Sequence, residues 1–248
     1  MIRIPAPLRA AALALALGSL TACYDDLIGA VDIAGAVGSN SGVSVVLIDR
    51  SGSIPAADRD LYARSIEGIG AGIEADGRVL VAAIGDTDRS RFRTLLDIRA
   101  EDSDVRLKRE GNLRKARSEL TAALPTLLPE EPRAGSRSTR ILETIAAASE
   151  AFHGKGGRLF ILSDAIEESP AVNLARLPDN EQAIADAIAK VRAAGLLPDL
   201  KGVKLHIIGA GGDDTTIGVE GIRAFWHAYA EATSATLVHI GRLPHEPQ

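Results

Sequence analysis

The chain has 248 residues, of which 46% are hydrophobic and 25% charged, with 1 cysteine and a formal net charge of −5. A chain of that size and apolar content can build one full core, and its acidic balance argues against a nucleic-acid phosphate backbone as partner. One cysteine excludes disulfides within the chain and any centre built on several thiolates.

Residues 1–9 carry Arg3 and Arg9 and no acid, and residues 10–20 are apolar yet too short to span a bilayer as a helix. This is the pattern of an export signal. The segment closes on Leu20-Thr21-Ala22-Cys23, which resembles the lipobox of bacterial lipoproteins. The resemblance implies that residues 1–22 are a cleaved lipoprotein signal peptide and that Cys23 is lipidated as the mature N-terminus, which also accounts for a lone thiol. Loss of the two arginines leaves 26 basic against 33 acidic residues, a net of −7. The acyl chains would be the only membrane anchor, and the implied location is the bacterial cell envelope. In some Gram-negative bacteria an Asp directly after the lipidated Cys favours the inner membrane; Tyr24 stands there, which tips the expectation toward the outer membrane. Residues 23–42, with Gly29, Gly35, Gly38, Ser39, Ser41 and Gly42 and no sustained period, read as a flexible tether.

Residues 43–248 read as one domain in which strands and helices alternate. The β-branched runs 43–48 and 79–84 suit strands covered on both faces. Between them, Tyr62, Ile66, Ile69 and Ile73 predict an amphipathic helix over 58–75, stopped by Asp76-Gly77. A strand over 92–98 follows too closely for a helical crossover, so it should pair antiparallel with its predecessor at an edge. A charged surface helix over 102–124 turns Leu113, Ala116, Leu120 and Leu124 to one side, with Gly111-Asn112 a candidate break and Pro125, Pro129 and Pro132 a loop. Ile141, Ile145, Ala148 and Phe152 predict a core-facing helix, then come a strand over 158–162, a helix over 180–194, a strand over 203–208, a helix over 219–232 and a strand over 236–240. The expected fold class is α/β: a doubly wound, mostly parallel sheet of about six strands with one antiparallel edge strand.

Asp49, Ser51 and Ser53 stand at alternate positions just past the carboxyl end of the first strand, where ligands bind in open α/β sheets. Ser138 and Thr139 precede the helix that begins near Ile141, and Asp164 follows the strand over 158–162. In a parallel sheet the three loops open on one edge, and their oxygens suit a hard cation such as Mg²⁺. In these segments the chain resembles the von Willebrand factor type A domain. In that family an Asp-x-Ser-x-Ser motif, a Thr from a second loop and an Asp after the fourth strand form a metal-ion-dependent adhesion site. The resemblance implies Asp49, Ser51, Ser53, Thr139 and Asp164 as metal ligands, with Ser138 as an alternative to Thr139. It implies Mg²⁺ as cofactor, with Mn²⁺ or Ca²⁺ able to substitute, and a vacant coordination position for an Asp or Glu of a partner protein. Two departures stand out: Ser138 where the family often has Gly, and Ala165 where it often has Gly, a β-carbon that disfavours positive φ.

Each of these residues has a plainer role open to it. Ser51, Ser53 and Thr139 are good helix caps, Asp164 suits a turn, and Arg50 reads as a solvated charge at the rim. Ile208-Gly209-Ala210-Gly211-Gly212 lacks the full dinucleotide fingerprint, and Gly154-Lys155-Gly156-Gly157 lacks the Ser or Thr of a phosphate loop. The five histidines show no paired ligand spacing, and Phe225, Trp226 and Tyr229 read as core. The leading expectation is a non-enzymatic, lipid-anchored, cation-dependent protein-binding module. The alternatives are a metal-assisted hydrolase, which would need a positioned base, and a structural envelope protein whose cation only braces the sheet edge.

Overall fold

The computed structural model describes residues 42–50, 56–85, 93–129, 139–178, 180–210 and 219–241. The expected leader, Cys23 and all of the tether before Gly42 lie outside these residues, as do Ser51, Ser53 and Ser138.

A six-stranded sheet in the order β3-β2-β1-β4-β5-β6 forms the centre. Its strands are β1 (Val43–Asp49), β2 (Arg78–Ile84), β3 (Thr94–Arg99), β4 (Gly157–Leu162), β5 (Val203–Ile208) and β6 (Thr236–Gly241). All neighbours pair parallel except β2 and β3, which pair antiparallel at the edge. This is the expected fold class, a mostly parallel α/β sheet with one antiparallel edge strand. β1 lies in the middle because it can be covered on both faces: Val45, Val46, Leu47 and Ile48 are all 0% exposed. Each such side chain contributes roughly 1.5–3 kcal/mol of burial.

Helices α1 (Ala56–Ala71) and α2 (Arg106–Leu127) cover one face; α3 (Ile141–Ala148), α4 (Glu181–Ala193) and α5 (Val219–Thr233) cover the other. Tyr62, Ile66 and Ile69 of α1 are buried as their spacing predicts. Ile73 is buried too, although the helix has already ended at Ala71 and Asp76 takes φ 63 in the turn that follows. Phe225, Trp226 and Tyr229 are core residues of α5. No helix among the described residues is long and apolar enough to cross a membrane.

Two expectations for α2 are corrected. Gly111 does not break the helix, and Pro125 lies inside it. A glycine in a helix interior costs about 1 kcal/mol, which is outweighed here because Ala116, Leu120 and Leu127 are buried along one side. Pro125 removes one ladder bond, yet the last turn still closes, with Leu128 N–H donating to the Leu124 carbonyl. The two helices approach closely at Gly70, where a β-carbon would stand 3.1 Å from Leu120.

The exposed edge at β3 is guarded by charge. Arg78 meets Asp97 through two bonds of 2.8 and 2.6 Å, and Arg99 meets Asp76 at 3.1 Å. Such pairs add little stability in water, but charges on an edge strand discourage pairing with other chains.

Candidate functional site

β1 ends on Asp49, and β4 is followed directly by Ser163 and Asp164. Because β1 and β4 are parallel neighbours with Ile48 opposite Leu162, both carboxylates leave the sheet at the same edge. They converge on one hydroxyl. Ser163 Oγ lies 3.1 Å from Asp49 Oδ2 and 3.3 Å from Asp164 Oδ1, and accepts the N–H of Ala165 at 3.2 Å. Ser163 is 0% exposed and Asp49 3%. A hydroxyl has one proton to donate, so Ser163 serves one of the two carboxylates at a time. Burial pushes the Asp164 carboxyl upward; the N–H of Ile166, donating to its Oδ1 at 2.9 Å, opposes this, while the charges of Asp49 and Glu168 add to it.

The turn after Asp164 keeps the geometry that glycine would favour. Ala165 has φ 69, a conformation that costs an L-residue roughly 1–2 kcal/mol. It is held from above by α5, whose Trp226 indole N–H donates to the Ala165 carbonyl at 3.0 Å. Gly209, after β5, has φ 106 and sits so close to the site that a β-carbon would fall 2.6 Å from Tyr62 Oη and 2.8 Å from the Ser163 carbonyl. Close backbone approach explains this glycine, with no need for a nucleotide.

Thr139 reaches the same region from the loop before α3. Its carbonyl accepts the N–H of Glu168 at 2.8 Å, which joins it to the segment after Asp164. The N-cap of α3 is Arg140, which makes no side-chain cap bond, so Thr139 is not the cap. That role falls to Glu167, whose Oε2 accepts the Leu142 N–H at 3.0 Å. Burial lifts the Glu167 carboxyl to about 7, against the opposing dipoles of the Ser169 hydroxyl and the Leu142 and Ile141 N–H groups. Arg50 is half-buried with its Nε shielded from water, which corrects the expectation of a solvated rim charge.

Among the described residues, no three His, Cys, Asp or Glu side chains gather as a metal cluster. The donors on view are two carboxylates and hydroxyls, an all-oxygen set that fits Mg²⁺ better than a softer ion. Reading the residues alone singled out Asp49, Thr139 and Asp164 but missed Ser163, Glu167 and Trp226. Ser163 carried a signal, since it precedes Asp164 at a strand's carboxyl end. Glu167 and Trp226 carried none, because they act on residues 25 and 61 positions away. The structure also sets His206 opposite His239 across β5 and β6 and stacks His206 on Phe160 at 4.8 Å.

A scan against protein-family models finds no match, and a search of curated proteins finds none either. Among solved structures the chain is similar to proximal thread matrix protein 1 from the mussel byssus, at 10% identity and a TM-score of 0.39, over 79% of this chain and 49% of that one. It is also similar to the human COPII-coat protein Sec24c, at 12% identity and a TM-score of 0.32, over 79% of this chain and 32% of that one. The chain thus spans about half and about a third of these two proteins.

Proposed function

We propose that this chain is a cation-dependent protein-binding module of the von Willebrand factor type A kind, whose partner presents an Asp or Glu side chain. The observation that carries the reading is the convergence of Asp49 and Asp164 on the Ser163 hydroxyl. The charge of Asp49 raises the carboxyl of Asp164, and repulsion between two such carboxylates favours uptake of a cation. Asp49, Thr139 and Asp164 would hold the ion, joined by Ser51 and Ser53, with Ser138 the alternative to Thr139. A bound Mg²⁺ would supply one position open to an outside carboxylate, since it keeps several exchangeable waters. The chain's own residues do the rest: Ser163 spaces the two carboxylates, the Ile166 N–H aims Asp164, and Trp226 holds the turn.

In this reading the domain is non-enzymatic and anchored to the bacterial envelope through lipid on Cys23. A hydrolase would need a base presented to water. Glu167, the nearby carboxylate best suited by its raised pKa, is 0% exposed and committed to the α3 backbone.

The test is capture of a partner by Mg²⁺-loaded protein, repeated in chelator and with Asp49→Ala. Capture should need both the ion and the carboxylate; capture that survives chelation and Asp49→Ala defeats the proposal.

A further inference from the structure

The loops bearing Thr139 and Asp164 belong to different β–α units, so a cation shared between them requires something that fixes one against the other. Arg140 caps α3 without a side-chain bond; its guanidinium turns to Glu143 at 3.3 Å. The helix is capped instead by Glu167, 25 residues further along the chain, through the bond from Leu142 N–H at 3.0 Å. The next residue adds a second tie, Glu168 N–H to the Thr139 carbonyl at 2.8 Å. Glu167 is itself anchored from the other side, because its carbonyl accepts the N–H of Leu174 at 2.9 Å. The side chain is 0% exposed, and its Oε1 is buried with no hydrogen-bond partner among the described residues.

Burying a carboxylate with one oxygen unsatisfied is costly. A Ser or Asp at position 140 could cap α3 locally at far less cost. What a local cap could not do is join the two loops.

We propose that Glu167 is the positioning residue of the candidate cation site, a strap that fixes the Thr139 loop to the Asp164 loop through the N-terminus of α3. This rests on the cation reading given above. Among the described residues its side-chain bond goes to the Leu142 N–H and not to a proposed ligand of the ion; Glu167 acts by setting the separation of the loops that carry those ligands.

The experiment titrates Mg²⁺ into the full chain by calorimetry and, separately, follows amide hydrogen exchange in chelator. Glu167→Ala should weaken Mg²⁺ affinity about tenfold and speed exchange at the Leu142 and Glu168 N–H groups. Glu167→Gln, which keeps an acceptor oxygen at the same reach, should stay within about threefold of wild type in affinity, a difference of well under 1 kcal/mol, and should keep the protection. Wild-type affinity in Glu167→Ala, or equal losses in both variants, overturns the strap. If Glu167→Ala fails to fold, Glu167→Asp, one methylene shorter, takes its place against Glu167→Gln with the same expectations. A wild-type chain that takes up no Mg²⁺ sinks the cation reading instead. The strap is then judged by exchange alone, and unchanged rates at Leu142 and Glu168 overturn it.

Discussion

The indole N–H of Trp226 donates to the carbonyl of Ala165 at 3.0 Å, across 61 residues of sequence. Trp226 is 0% exposed and packs edge-on against Tyr229 at 5.4 Å, so the donor is held rigidly. The carbonyl belongs to the residue that adopts φ 69 directly after Asp164. The core of α5 thus stabilises a backbone conformation that alanine would not choose. Trp226→Phe should destabilise the fold by about 2 kcal/mol, combining a lost hydrogen bond with a small cavity, as measured by denaturant unfolding.

Ala165 itself offers a sharper comparison. In Ala165→Gly, relief of the left-handed strain is offset by loss of a buried methyl and by a more flexible unfolded chain. Stability should stay within about 1 kcal/mol of wild type. Ala165→Val adds a branched β-carbon to both the strained backbone and a fully buried site, and should cost more than about 2 kcal/mol. Chemical denaturation of the pair checks both outcomes.

Asp49 and Asp164 share one hydroxyl, so neutralising one should relieve repulsion when no ion is present. Asp164→Asn is expected to melt higher than wild type in chelator and lower in saturating Mg²⁺. Thermal melts in both conditions decide it, and an order that does not reverse contradicts the shared-cation reading. Ser163→Ala should lose roughly 1–3 kcal/mol in either condition, because the Ala165 N–H is left buried and unpaired.

Two buried groups give opposite pH dependences. His206, deep beside Phe160, is pushed from 6.5 down to about 4, chiefly by burial and then by the charges of His239, Arg158 and Lys204. Its contribution is complete above pH 6.5 and is lost as pH falls toward 4. Glu167 is pushed from 4.5 up to about 7 by burial. Its contribution is complete below pH 4.5 and is lost as pH rises toward 7. Each is worth at most roughly 3 kcal/mol, and between pH 4.5 and 6.5 the two slopes oppose. Glu167→Gln should therefore gain stability with rising pH across that window, and His206→Gln should lose it. Urea titrations at several pH values separate them.

Much of the fold was legible in the sequence because its signals are short-range. The strand over 203–208 and the helix start at residue 219 match the structure residue for residue. Asn180, taken as the start of a helix, is its N-cap and accepts the Ala183 N–H at 2.9 Å. Periodicity and a local cap such as that of Asn180 act between residues at most four apart, so a linear reading sees them. The same holds for the positions of Asp49 and Asp164, each at a strand's carboxyl end. Local breakers misled where packing outweighed them: Gly111 and Pro125 both lie inside α2 because its buried side is worth more than their cost.

What residue order alone determined is which segments become strands and helices and which side chains stand at strand ends. Which of those ends meet was decided by the register of β1 against β4. That register brings Asp49 to the hydroxyl of Ser163, 114 positions away. The cap on α3 and the clamp on Ala165 arose in the same way. Each is a directional contact between distant residues, and such contacts form only after burial of the two cores has set the chain's path. No local spacing encodes them, because hydrogen bonds depend on angstrom-scale placement that hydrophobic patterning does not specify.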